Sequence, residues 1–270
     1  MSNSAAAPQL SLSLWSIRKG MYVTPDETLD RVKGLGISSV EVAGFFNDEA
    51  ARLAGQLSQR TLRVCGITGP ALRENRHSRF YITWALTYLP LFNARAFNLH
   101  TDPRGFAEFS RDSLVRLVIE IARELEKCSI TVGYHCYPHD FDSTGGDSFM
   151  SQLFSAPGVP QNLGLQLDTY WLHFGSTAPS VYAPFPVSSV HLNERDEAGI
   201  ARILGTDEQR CSQYIRSLVA RNNPPANWIL ENESADRADD EPTDDDVLQA
   251  CIEGWAAYWE TLVNSPAAKT

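Results

Sequence analysis

The sequence has little of what secreted or membrane-embedded proteins need. It contains only five cysteines in 270 residues, and no two of them form a CxxC pair. An odd, scattered set of thiols is typical of a reduced cytosolic protein rather than of a disulfide framework. No apolar run approaches the roughly 20 residues of a membrane-spanning helix. We therefore expect a cytoplasmic protein without membrane association.

Basic residues are also scarce, since 23 Lys and Arg oppose 33 Asp and Glu for a net charge of −10. An acidic chain has no electrostatic attraction for nucleic acid, so a small molecule is the expected partner. Seven acids and one arginine lie between Asp236 and Asp246. We interpret that stretch as a solvated loop followed by a helix N-terminus, where the helix dipole favours acidic side chains.

What the sequence does contain is a series of short β-like runs separated by helical patterns. The eight runs are Leu10–Trp15, Ser38–Ala43, Leu62–Thr68, Ala96–His100, Ile130–His135, Leu163–Asp168, Ser188–Leu192 and Trp228–Glu231. The clearest helical pattern places Leu114, Leu117, Val118 and Ile121 on one face. Eight strands with intervening crossovers predict a parallel sheet that closes into a (β/α)8 barrel.

The alternative fold is an open doubly wound sheet. No GxGxxG or GxxxxGK[ST] motif follows the first run, so nucleotide binding has no support. We expect a single α/β TIM-barrel domain over residues 10–264. A disordered N-terminal tail at residues 1–9 and a C-terminal tail at 265–270 are expected to flank it.

Ionisable residues end four consecutive predicted strands. These residues are His135, Asp168, His191 and Glu231. Because side chains at the carboxyl ends of barrel strands converge over the barrel mouth, they predict one divalent metal site. Two imidazoles and two carboxylates suit Mn²⁺, Fe²⁺, Co²⁺ or Zn²⁺, whereas Mg²⁺ prefers more oxygen ligands. Taken singly, each has a structural alternative, such as a hydrogen-bonded histidine or a helix cap at Asp168.

Motifs in the same order resemble the xylose isomerase-like TIM barrels of the sugar isomerase/epimerase superfamily. They include the Val40-Glu41 pair, Leu-Asp-Thr-Tyr-Trp at 167–171, Val-His-Leu at 190–192 and Trp-Ile-Leu-Glu at 228–231. The similarity is greatest to the branch with a Tyr-His-Asn-His-Asp-Phe-Glu stretch on strand five. The resemblance implies a divalent metal held by the four strand-end residues, and proton transfer next to a carbonyl of a sugar or polyol.

The chain departs from that family on strand five. The resemblance places a glutamate where this chain has His135, so the two-glutamate mechanism of the epimerases is not available in its usual form. Glu231 remains one candidate acid/base. The candidates for a second are His139, Asp142, His173 and Glu194. Either His135 or His139 could be the strand-five ligand, and we prefer His135 because it directly ends the β-like run.

Aromatic residues lie at or just beyond many strand ends, and they indicate a substrate less polar than a free sugar. The candidate substrate-binding residues are Trp15, Glu41, His100, Tyr134, Trp171 and Asn193. Glu41 and His100 could equally make structural hydrogen bonds. The Gly-x-Gly-Glu turn that follows strand seven in relatives is missing, and there is no phosphate-binding glycine-rich loop.

The sequence therefore predicts a metal-dependent isomerase or epimerase, or a dehydratase-like lyase, acting on a sugar, polyol, glycoside or natural-product intermediate. The alternative is a non-catalytic barrel subunit or binding module that has kept the fold. From the family resemblance, a homodimer is the expected assembly.

Overall fold

The computed structural model describes residues 7–143, 146–196, 201–204, 211–221, 223–231 and 244–264. Eight parallel strands form a closed barrel in chain order, so the predicted (β/α)8 fold is confirmed. The strands are β1 (Leu10–Ser13), β2 (Ser39–Val42), β3 (Arg63–Thr68), β4 (Ala96–His100), β5 (Thr131–His135), β6 (Leu163–Asp168), β7 (Val187–Leu192) and β8 (Asn227–Leu230).

Helices surround the barrel. They are α1 (Arg18–Val23), α2 (Pro25–Gly34), α3 (Ala50–Gln59), α4 (Ser78–Tyr88), α5 (Pro103–Glu108), α6 (Arg111–Glu126), α7 (Phe149–Ser155), α8 (Thr169–Phe174), α9 (Pro179–Tyr182), α10 (Cys211–Val219) and α11 (Asp244–Asn264). In α6, the Ser110 hydroxyl caps the Ser113 N–H, and the predicted apolar face is buried. Three of the segments outside the described residues bear on the sequence predictions. They are residues 1–6 of the predicted N-terminal tail, residues 232–243, which include most of the acidic stretch, and the whole predicted C-terminal tail at 265–270.

The strands alternate between the barrel interior and the helical layer. In β6, Leu165 and Leu167 are buried among apolar side chains, whereas Gln166 hydrogen-bonds across the interior to Glu41 of β2. Asp168 shares the inward face with Gln166 because side chains two apart in a strand point the same way. The same period puts Asn98 and His100 of β4 on one face. The polar residues of these strands therefore lie in the barrel interior, whereas the leucines pack in the core outside the barrel.

The last helix closes the outer layer against the last strand. The Trp228 ring of β8 packs edge-on against Trp259 of α11 with ring centroids 5.3 Å apart, and Trp255 lies 6.2 Å away. The indole N–H of Trp255 donates to the carbonyl oxygen of Pro8 at 2.8 Å, which holds the chain ahead of β1. Within the described residues, no helix is long and apolar enough to cross a membrane, and all five cysteines are free.

Candidate active site

Three of the four predicted metal ligands meet at the carboxyl ends of β5, β6 and β7. One ligand atom each from His135, Asp168 and His191 lies within 4.8 Å of the others, and all three residues are buried. Glu231, directly after β8, joins them, because its Oε2 atom is 3.2 Å from Nδ1 of His191. The geometry thus brings two imidazoles and two carboxylates together, as the strand order requires.

His191 presents one nitrogen to this cluster. Its Nε2 atom donates to Oε2 of Glu41 at 2.8 Å, so the neutral tautomer, which is the form that binds a metal, would have its lone pair on Nδ1. Nδ1 lies 3.2 Å from Oε2 of Glu231 and 3.9 Å from Oδ2 of Asp168. It is buried and makes no hydrogen bond. A buried ring nitrogen that faces two carboxylate oxygens, while the opposite ring nitrogen is held by a hydrogen bond, has the arrangement of a metal-binding histidine.

His135 is oriented by a short chain of side chains that also ends at Glu41. Its Nδ1 atom lies 3.2 Å from the amide oxygen of Gln166, and the Gln166 amide nitrogen donates to Oε1 of Glu41 at 2.6 Å. Because an amide oxygen only accepts, His135 carries its proton on Nδ1 and keeps the Nε2 lone pair free. Asn98 also donates to Oε1 of Glu41, at 2.7 Å. One buried carboxylate therefore fixes both histidines.

Asp168 has two roles at once. Its Oδ1 atom accepts the backbone N–H groups of Tyr170 and Trp171, so it caps α8 as the structural alternative predicted. Its Oδ2 atom accepts a hydrogen bond from the side-chain amide of Asn193 at 3.1 Å and lies 3.9 Å from Nδ1 of His191. The cap fixes the direction of the carboxylate without using the oxygen that faces the cluster.

The protonation states reflect burial and the mutual charges of the cluster. Burial, and then the positive charge of His191, lowers the pKa of His135 to about 3, so His135 is neutral. Burial alone would raise the pKa of Glu231, but His191 lowers it to about 2. Burial and the nearby Glu231 raise the pKa of Asp168 to about 6. Burial opposes the charge on His191, yet Glu231 and Glu41 raise its pKa well above the usual value. His191 therefore supplies the positive charge that faces Glu231 and Glu41, and a divalent cation bound at this position would take over that charge.

These residues fit a divalent metal ion. His135 and His191 each offer a nitrogen whose other ring N–H is held by a hydrogen bond, and such partners are typical of metal-binding histidines. Asp168 and Glu231 supply oxygen. A set of two nitrogens and two carboxylates suits Mn²⁺, Fe²⁺, Co²⁺ or Zn²⁺.

A cavity of about 480 Å³ opens above this cluster at the carboxyl end of the barrel. His100, His135, His191 and Glu231 line it from the ends of β4, β5, β7 and β8. Burial lowers the pKa of His100, so its imidazole is neutral near pH 7. The predicted wall residue Trp15 also lines the cavity, from a short 3-10 turn (Leu14–Ile17) rather than from the end of β1.

Two predicted substrate contacts lie below the cavity surface instead. Glu41 is fully buried and hydrogen-bonds to Asn98, Gln166 and His191, so the structural alternative describes its position. Asn193 is also fully buried, where it holds Asp168. Both residues orient other side chains that reach the metal cluster or the cavity. We therefore assign them a supporting role in place of the predicted contact with substrate.

Tyr134 is not a wall residue, because β5 alternates and His135 takes the inward direction. The fully buried Tyr134 hydroxyl lies 3.0 Å from the Thr101 hydroxyl and donates to Oδ1 of Asp140 at 3.2 Å. Trp171 does not line the cavity. It packs edge-on against Tyr137, which does, with ring centroids 5.4 Å apart.

The predicted second acid/base groups do not line the cavity either. Glu194 is buried on the helix side of β7, where burial and the Glu194 charge raise the pKa of Cys211 in α10. His173 lies on α8 and does not line the cavity. His139 lies on the 3-10 turn after β5 and packs against Phe106, with ring centroids 4.4 Å apart. The strand-five residue that reaches the cluster is His135.

Several residues of the site escaped the sequence analysis. Gln166 and Asn98 each precede a predicted site residue by two positions, so strand alternation could have found them. Tyr137, just after the end of β5, lines the cavity together with His135. Trp84 lines the cavity from α4, and no strand-end pattern marks it.

No protein-family model matches the sequence, and no curated protein matches it. Solved structures do match. A sugar phosphate isomerase/epimerase from Parabacteroides distasonis superimposes with a TM-score of 0.75 at 14% identity, over 96% of this chain and 97% of that one. A xylose isomerase domain containing protein from Salmonella typhimurium gives 0.64 at 14% identity, over 93% and 97%.

A third similar structure, an L-ribulose 3-epimerase, gives a TM-score of 0.67 at 12% identity and covers 96% of this chain and 98% of its own. At such identities the likeness is one of fold. The chain therefore has the xylose isomerase-like (β/α)8 barrel fold.

Proposed function

We propose that the protein is a divalent-metal-dependent enzyme that moves a proton next to a carbonyl group, as an isomerase or epimerase of a sugar-like substrate. The observation that carries the proposal is the buried Nδ1 atom of His191, which faces Asp168 and Glu231 without a hydrogen bond. His135, Asp168, His191 and Glu231 are the proposed ligands. A cation bound there polarises a carbonyl and a neighbouring hydroxyl group of the substrate.

The residues around that position can transfer the proton. Glu231 is ionised and lines the cavity, so it can accept a proton from the carbon beside the carbonyl. His100 is neutral and also lines the cavity, so it can accept a proton from a hydroxyl group and then return that proton to the substrate. We assign His100 as the second acid/base, in place of the predicted His139, His173 and Glu194, none of which is a lining residue.

The two proton-carrying groups stand on opposite sides of the mouth. Glu231 follows β8 and His100 ends β4, and these strands are four positions apart in a closed ring of eight. Groups so placed can reach opposite faces of a bound substrate. That arrangement supports both isomerisation and epimerisation without the second glutamate that His135 replaces. Two of the similar structures, a sugar phosphate isomerase/epimerase and an L-ribulose 3-epimerase, are enzymes of this kind.

Metal analysis tests the site first. We expect the purified protein to bind one equivalent of Mn²⁺, Fe²⁺, Co²⁺ or Zn²⁺, and His191→Ala to lose it. Incubation of the metal-loaded protein in D2O with unphosphorylated ketoses, starting with D-fructose, should then place deuterium next to the carbonyl carbon. Glu231→Gln should abolish that exchange, whereas Glu253→Gln on the exposed face of α11 should not.

Three results would overturn the proposal. Protein purified with added metals that contains no divalent ion excludes the metal centre. Metal without deuterium exchange across the ketose panel supports the non-catalytic barrel. Formation of an unsaturated carbonyl product, detected by its ultraviolet absorbance, assigns the dehydratase-like lyase instead.

A further inference from the structure

The cavity above the metal cluster has two unlike sides. The polar side comes from the ends of β4, β5, β7 and β8 and contains His100 and three of the proposed ligands, His135, His191 and Glu231. The opposite side comes from the segments after β1, β2 and β3 and from α4. We call its large side chains the aromatic wall: Trp15, Phe45 and Trp84. Ala43, Gly44, Gly69 and Pro70 also line that side, and Thr68 adds one hydroxyl group, so the side has few side-chain groups that can hydrogen-bond to a ligand.

The aromatic wall is held rigid by its own packing. The rings of Phe45 and Trp84 are parallel within 4°, with centroids 5.7 Å apart, and Tyr88 packs on Phe45 at 4.9 Å. The guanidinium of Arg18 covers the Trp15 ring at 4.8 Å. Rings fixed in this way form a flat apolar surface before any ligand binds, which lowers the entropic cost of binding one.

Away from the proposed metal ligands, no side chain that lines the cavity in the described part of the chain supplies a counter-charge for an anionic substrate group. Among the residues that line it in the described part of the chain, none is Lys or Arg. Arg18, the cation nearest the aromatic wall, is engaged by the ring of Trp15 and donates to the Trp15 carbonyl oxygen. Glu231 contributes a negative charge to the polar side. A phosphate group would therefore be desolvated without a cationic partner, which is costly.

The volume exceeds what a free hexose needs. Even at the ~30 Å³ that one water occupies in the liquid, the roughly 12 heavy atoms of a hexose take about 360 Å³. Apart from the Thr68 hydroxyl and the indole N–H groups of Trp15 and Trp84, the side chains opposite the metal ligands in the 480 Å³ cavity have no group that can hydrogen-bond to a sugar hydroxyl. Hydroxyl groups buried there without partners would cost free energy, whereas an aromatic ring would gain it.

We propose that the substrate is an uncharged two-part molecule, in which a sugar-like hydroxycarbonyl unit is joined to a planar apolar group such as an aryl ring. The sugar-like unit sits at His135, His191 and Glu231, and the planar group stacks on the aromatic wall. This inference rests on the proposed function for the position of the reacting unit. It goes beyond that function by naming the class of compound that the cavity selects.

Binding to the Mn²⁺-loaded protein tests the proposal with three non-reacting probes: phenyl β-D-glucopyranoside, methyl β-D-glucopyranoside and the 6-phosphate of methyl β-D-glucopyranoside. Isothermal titration should show the phenyl glucoside binding about ten-fold more tightly than the methyl glucoside, and the phosphate no more tightly than the methyl glucoside. Trp15→Ala should remove most of the phenyl preference. Phe174→Ala, which removes a 66% exposed ring that is not a lining residue, should leave the preference unchanged.

Trp84 is packed more tightly than Trp15, so Trp84→Leu serves as a second variant only if its circular dichroism matches the wild type. Equal affinity for the phenyl and methyl glucosides, tighter binding of the phosphate, or a full phenyl preference in Trp15→Ala would each overturn the proposal. Failure of the proposed function has a different signature, since lost deuterium exchange on ketoses leaves the phenyl preference intact. If the protein prefers the phenyl glucoside but catalyses no deuterium exchange, the role of the aromatic wall is supported and the proposed reaction is rejected.

Discussion

The Nε2 atom of His191 lies 2.8 Å from Oε2 of Glu41, and the other oxygen of that carboxylate accepts from Gln166, which in turn meets His135. Glu41 is fully buried in β2, across the barrel from the histidines that it orients. Both imidazoles therefore present a fixed lone pair to the same point. A second histidine in place of a strand-five glutamate is compatible with this cluster because Gln166 connects it to Glu41.

Glu41→Gln tests whether this carboxylate positions the metal ligands. A glutamine there would direct an amide group toward the donors of Gln166, Asn98 or His191, so at least one hydrogen bond is lost. We expect the affinity for Mn²⁺ or Zn²⁺ to fall about 10–100-fold, as is typical when such supporting hydrogen bonds are removed. Competition with a chromogenic chelator measures this affinity without any substrate.

The matched control for that variant is Glu194→Gln, because Glu194 is also a buried carboxylate but does not line the cavity. Its metal affinity should equal that of the wild type. Equal loss of affinity in both variants would show a general effect of buried charge. Unchanged affinity in Glu41→Gln would remove Glu41 from the metal site.

The choice between His135 and His139 as the strand-five ligand can be settled by a pair of variants. His135 reaches Asp168 and His191, whereas His139 packs on Phe106. We expect His135→Ala to lose the metal under dialysis while His139→Ala retains one equivalent, as measured by inductively coupled plasma mass spectrometry. The reverse pattern would assign His139 and would require the turn after β5 to rearrange when the ion binds.

Much of this arrangement follows from the sequence. The eight strands were predictable because each run is apolar and ends in turn-forming or polar residues. Parallel closure then dictates that His135, Asp168, His191 and Glu231 share one mouth. The fold needed only the number of strands and the handedness of their crossovers.

The sequence predicted less well which residues of a strand point into the barrel and which point toward the helices. Tyr134 and Glu194 adjoin site residues in the chain, yet alternation directs them to the helical layer. Trp84 could not be predicted, because its place depends on how α4 packs over the barrel mouth rather than on any strand end. Tertiary packing, not local pattern, decides which helical side chain completes a cavity wall.

Asp140 provides a pH test of the turn that follows β5. Burial raises its pKa to about 7, although the Tyr137 N–H and the Tyr134 hydroxyl donate to it. An unfolded aspartate has a pKa of about 3.9, so between roughly pH 4 and 7 the folded protein binds more protons at this group. Its stabilising contribution is therefore complete below pH 4 and falls as the pH rises to 7.

Asp140→Asn should remove that pH dependence, because an asparagine resembles the protonated aspartate, with one acceptor and one donor. The free energy of unfolding in urea, measured from pH 4.5 to 7.5, should decline less steeply in the variant, by up to ~1.4 kcal/mol per pH unit. Asp147→Asn, at an exposed residue, is the control and should follow the wild type. Parallel pH curves for Asp140→Asn and the wild type would contradict the elevated pKa.

Gly133→Ala links the barrel interior to the metal site. A Cβ atom at Gly133 would overlap Oδ1 of Asn98 and lie 3.1 Å from Oγ of Ser188, so the Asn98 side chain must move off Glu41. We expect a loss of about 1–3 kcal/mol in the free energy of unfolding from overpacking, together with weaker metal binding. The control is Gly254→Ala in α11, where a Cβ meets nothing within 4 Å. It should stabilise the helix by about 0.5–1 kcal/mol and leave metal affinity unchanged. If urea titration finds Gly133→Ala as stable as the wild type, with the same metal affinity, then Asn98 has room to shift and its hydrogen bond does not support Glu41.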